Sequence, residues 1–73
     1  MNKFIFINEN GHKYKGTYKQ WKKWLKKKYY ENLLKIKPQT DEDDNLITGF
    51  LVTFISDEDL ALHEDSWEVV RVG

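Results

Sequence analysis

At 73 residues the chain has room for one modest core, and with no cysteine and no apolar run of about 18 residues it excludes a disulfide framework, a thiolate metal site and a membrane-spanning helix. Eleven aromatics within a 40% hydrophobic fraction argue against intrinsic disorder, although 33% of the residues are charged. The formal charge of zero hides a polarity. Residues 1–37 carry eleven lysines against Glu9 and Glu31, and residues 38–73 carry ten carboxylates against Arg71, so the halves are +9 and −9.

Lys3 to Asn8 alternates Phe4 and Phe6 on one side with Ile5 and Ile7 on the other, the pattern of a strand covered on both faces. Asn10-Gly11 follows as a hairpin signal in which both residues would take φ > 0, and His12 to Gly16 returns with Tyr14 inward and Lys13 and Lys15 wet. Thr17 then opens a helix, with Gln20 three residues on to complete a capping box. Tyr18, Trp21, Leu25, Tyr29, Leu33 and Ile36 recur every three or four residues, which predicts a helical stripe facing the sheet and ending before Pro38.

Gln39 to Asn45 reads as a solvated acidic loop. Leu46 to Ile55, rich in β-branched and aromatic residues, reads as a strand with Phe50, Val52 and Phe54 opposite Leu51, Thr53 and Ile55. Ser56 to Asp65 is expected to be a turn followed by irregular structure, and Trp67 to Val72 a last strand with Trp67, Val69 and Arg71 on one face. The expected fold is therefore α+β: one domain over residues 1–73, an antiparallel sheet of about four strands in the order ββαββ, and one amphipathic helix on one face. One helix leaves the other sheet face without a cover, so the sheet is expected either to curl on itself or to form a homodimer.

Chemistry-bearing groupings are sparse. His12, His63, Ser56 and Ser66 form no recognisable nucleophile–base pattern, and Gly11, Gly16, Gly49 and Gly73 are too dispersed for a phosphate loop. Asp41, Asp43 and Asn45 match three positions of a calcium loop, but Leu46 stands where that loop needs glycine and Val52 where it needs glutamate. No enzyme, cofactor or metal site is expected.

Two surfaces remain. On the outer face of the helix, Lys19, Lys23, Lys26, Lys27 and Lys28 are joined by Trp24, Tyr30 and Leu34, a mixture of cations and aromatic faces suited to single-stranded nucleic acid or to a charged partner. Like-charge contacts along this helix cost less than about 1 kcal/mol net, so the lysines need no ligand to be tolerated. The second surface is acidic: Asp41, Asp43, Asp44, Asp57, Glu58 and Asp59 are suited to a basic groove on another protein. The expectation is a cytoplasmic, non-enzymatic module that binds a protein partner through a charged face, with nucleic-acid binding as the alternative and a structural component of a larger assembly as a third reading. Eleven lysines to one arginine, with abundant Asn, Ile and Tyr, fit AT-rich coding and so an accessory or host-modulating protein of a phage or other mobile element.

Overall fold

The computed structural model describes residues 3–43 and 46–72. Five strands form one antiparallel sheet: β1 (Phe4–Asn8), β2 (Lys13–Gly16), β3 (Leu33–Thr40), β4 (Ile47–Ile55) and β5 (Leu62–Arg71), in the order β2-β1-β5-β4-β3. The C-terminal strand therefore lies between the N-terminal hairpin and the β3–β4 hairpin. Phe6 sits opposite Val69, and Phe50 opposite Trp67. Among the described residues no helix is long and apolar enough to cross a membrane.

The first hairpin forms as expected, with a different turn. Gly11 has φ +89° while Asn10 does not share the left-handed region; the Gly11 N–H donates to the Asn8 carbonyl at 2.9 Å and the Asn8 N–H to the His12 carbonyl at 2.8 Å. The buried Asn8 side chain accepts from the Asn10 N–H, so its burial leaves that oxygen satisfied. This is a three-residue connection with glycine at the bulge position rather than a two-residue turn.

Helix α1 (Tyr18–Tyr29) has the capping box read from the sequence: Thr17 Oγ1 accepts from the Gln20 N–H, and Gln20 Oε1 from the Thr17 N–H. Its stripe meets the sheet through Trp21 and Leu25, both fully buried. Trp21 lies parallel to Phe6 at 4.4 Å between centroids and edge-on to Trp67 at 5.6 Å. These side chains with Phe50 and Val52 make the core.

The helix is eight residues shorter than the sequence pattern predicts: it stops at Tyr29, a 3-10 turn spans Tyr30–Asn32, and β3 follows. Leu33 and Ile36 still face the core, but as strand residues. A register shift between Leu33 and Lys35 inserts one extra residue, which turns a spacing of three, natural on a helix, into two inward positions on a bulged strand. Pro38 is accommodated because β3 is an edge strand. The sheet accordingly has five strands, not about four. The segment expected to be irregular is also strand from Leu62 onward, because Leu62, His63, Glu64 and Asp65 pair with Ile55, Phe54, Thr53 and Val52.

The face away from α1 carries Ile5, Ile7, Leu51, Ile55 and Val70, with Glu64 and Glu68 on the central strand and Lys13, Lys15, Lys35 and Lys37 on the outer strands. No described element covers it. This is the one-sided arrangement that antiparallel sheets tolerate.

Candidate functional site

Three surfaces follow from this frame. The first is the outward side of α1. At about 100° per residue, Lys19, Lys23, Lys26 and Lys27 fall opposite the Trp21–Leu25 stripe. All four are exposed, and among the described residues none forms an ion pair with a carboxylate. The described carboxylates of the acidic half therefore form no ion pair with this face.

The aromatics predicted to join those lysines divide. Trp24 is half-buried: its ring lies 5.1 Å from that of Tyr14 and edge-on to Trp67 at 6.0 Å, with the Lys28 ammonium 5.1 Å above it. It is a flank of the core, and Lys28 lids it through a cation–π contact that also reaches Tyr29. Tyr30, by contrast, is 76% exposed and ends the helix with φ 54° and ψ −126°, a conformation that suits glycine and strains a side chain. Leu34, in the bulge, is exposed as well.

The acidic candidates gather in two turns at opposite ends of the β4 strand. Asp41 and its neighbours Glu42 and Asp43 occupy the β3–β4 turn, which the Asp41 N–H closes by donating to the Leu46 carbonyl at 3.0 Å. Asp44 and Asn45 lie outside the described residues. In the β4–β5 turn, Asp57 accepts from Asn32 Nδ2, the Glu58 N–H donates to Ser56 Oγ, and Asp59 accepts from the Ala61 N–H at 3.0 Å and meets His63 Nε2 at 2.8 Å. The Ala61 backbone N–H, and then His63, hold the Asp59 carboxyl below its ordinary range. These carboxylates order their own turn. Among the described residues no group of three or more His, Asp or Glu is placed to hold a metal ion.

A third surface was not anticipated. Because α1 begins beside Phe50, with Tyr18 stacked on that ring at 5.0 Å, and ends over Phe54, with Tyr29 stacked at 4.3 Å, it leaves one corner of the sheet without a helix above it. There Phe4, Tyr18, Pro38, Leu46, Ile47 and Val69 line an apolar groove of about 650 Å³, with Arg71 at its edge and the Asp41–Asp43 turn following directly from β3. Leu46 and Ile47 are 65% and 47% exposed. The sequence carries no distinct signal for it: Leu46-Ile47 is one apolar pair in a segment that also holds Phe50-Leu51-Val52 and Phe54-Ile55. The groove takes residues from every strand except β2, which no local pattern reveals.

Comparison with known proteins finds no similar family model, no similar curated protein and no similar solved structure.

Proposed function

We propose that the chain is a small non-enzymatic interaction module that binds a protein partner through the groove and the acidic turn beside it. The observation that carries this reading is the groove itself: about 650 Å³ of apolar-lined space, with Leu46 and Ile47 held out to solvent. Protein interfaces draw most of their affinity from a few apolar or aromatic anchors seated in such pockets and surrounded by a polar rim. Here Glu42 and Asp43 are exposed carboxylates of the adjoining turn, so the matching partner offers one large apolar side chain flanked by lysine or arginine.

Affinity capture from a bacterial lysate, followed by titration of the purified captured protein, tests the reading. Ile47→Asp, which places a charge in the groove, and the double reversal Glu42→Lys/Asp43→Lys should each weaken binding at least about tenfold while the circular dichroism spectrum is unchanged. Lys23→Glu/Lys27→Glu, on the far side of the helix, should leave it intact. Binding indifferent to both groove variants would reject the reading.

A further inference from the structure

We propose that the outward face of α1, ending in Tyr30, is a second and independent site, for single-stranded nucleic acid: the lysines hold phosphates and the Tyr30 ring stacks a base.

Lys19, Lys23 and Lys27 recur every four residues, about 6 Å apart along the helix axis, and Lys26 widens the row. A face of exposed lysines with no apolar residue among them lacks the anatomy of a protein interface, whose centre is depleted in lysine and enriched in aromatics. It has the anatomy of a phosphate track. Of the described carboxylates, Asp57 is engaged by Asn32, Asp59 by Ala61 and His63, and Asp65 by Tyr29, while Glu31, at the end of the row, forms no ion pair with it.

Tyr30 adds the second element. Its backbone occupies a region where glycine is at ease, yet the residue is a large aromatic with most of its surface in water and, among the described residues, no ring contact. Such a side chain contributes strain and almost no burial to folding, so its gain lies outside the fold. The ring stands at the C-terminal end of the lysine row, beside a cleft of about 410 Å³ shared with Lys26, Glu31 and Leu33. Glu31 marks where the cationic track stops and supplies an acceptor for a base edge. Trp24 cannot substitute as a platform, because Tyr14, Trp67 and Lys28 occupy its surroundings. With no arginine on α1 to read paired base edges, the chemistry is that of sequence-tolerant, salt-sensitive single-strand binding.

The test is fluorescence anisotropy with a labelled twelve-residue oligothymidylate, with unlabelled inorganic polyphosphate or polyglutamate as competitor, at two salt concentrations. The oligonucleotide should bind at low salt and lose affinity with a log–log slope near −2, roughly −0.7 for each of three phosphates. Lys23→Glu/Lys27→Glu should abolish binding. Tyr30→Gly should weaken oligothymidylate about tenfold or more, in line with loss of one stacked base, while polyphosphate binding stays unchanged. The same variant should melt at a higher temperature than the parent, and Tyr30→Phe should bind like the parent. No binding with tens of micromolar protein at low salt overturns the proposal, as does a Tyr30→Gly protein that binds oligothymidylate normally. Polyglutamate competing as well as polyphosphate would assign the face to an acidic protein instead. A melting temperature unchanged or lowered in Tyr30→Gly would remove the strain argument. Ile47→Asp leaves this site untouched, so its failure and that of the groove are told apart.

Discussion

The two faces of the sheet are built from the same strands by the same alternation, and they end in different states. Towards α1, Phe6, Phe50, Val52 and Trp67 are buried and interlock with Trp21 and Leu25. On the other side Ile5, Ile7, Leu51 and Ile55 are half-buried by their neighbours alone, between carboxylates on the central strand and lysines on the outer ones. Alternation chooses which residues share a face, but the helix decides which face becomes a core. The aromatics of the strands all fall on the covered side, while the apolar residues of the open one are aliphatic, which keeps the larger apolar surfaces out of water.

The sharpest way to break that contrast is to truncate one residue on each side. Trp21→Ala should cost about 3 to 5 kcal/mol, comparable to the whole stability of a domain this size, and abolish the cooperative denaturant transition followed by circular dichroism. Leu51→Ala should cost less, about 1 to 2 kcal/mol, because Leu51 is only partly buried and no described element packs over it. A Leu51→Ala protein as unstable as Trp21→Ala would mean that the open face is covered in solution by a second copy, and sedimentation would then report more than the 8.8 kDa chain.

A smaller effect tests how closely β4 and β5 approach. A Cβ added to Gly49 would overlap the Trp67 carbonyl oxygen, a backbone atom that cannot rotate away. Gly49→Ala should therefore destabilise by about 1 to 3 kcal/mol although it adds one methyl group at the surface-facing side of the sheet. Stability equal to the parent would show that the strands can spread without cost.

Much of this arrangement is legible locally, and what is not has a physical reason. The capping box at Thr17 and Gln20, the inward set Phe6, Trp21, Phe50 and Trp67, and the first hairpin all follow from short-range chemistry. The boundary at Tyr29 does not, because Leu33 and Ile36 satisfy a helical stripe and a bulged strand equally well, and pairing with Phe54 and Val52, 21 and 16 residues away, decides between them. His63, Glu64 and Asp65 have weak strand preference of their own and extend only because β4 offers them partners. At the candidate sites, the lysine row can be read off a helical wheel. Trp24 is misjudged because Tyr14 of β2 widens the covered arc of the helix, and the groove is assembled from four strands and the first turn of the helix.

The finest distinction lies at the rim of the covered face, where Tyr29 stacks on Phe54 and its hydroxyl donates to Asp65 at 3.1 Å. Burial first, then the charge and hydrogen bond of Asp65, push the Tyr29 hydroxyl up from its ordinary 10.0 to about 12. The fold thus favours the protonated phenol. Its contribution is complete below pH 10 and is lost as the pH rises through about 12, because the unfolded chain gives up that proton first. Tyr29→Phe keeps the ring and removes the titrating group, so at neutral pH it should lose no more than about 1 kcal/mol, the worth of one half-exposed hydrogen bond. Between pH 10 and 12 the parent should fall towards the variant, so that the gap between their denaturant midpoints closes. A gap that stays constant over that range would place the Tyr29 hydroxyl in water and detach Asp65 from the covered face.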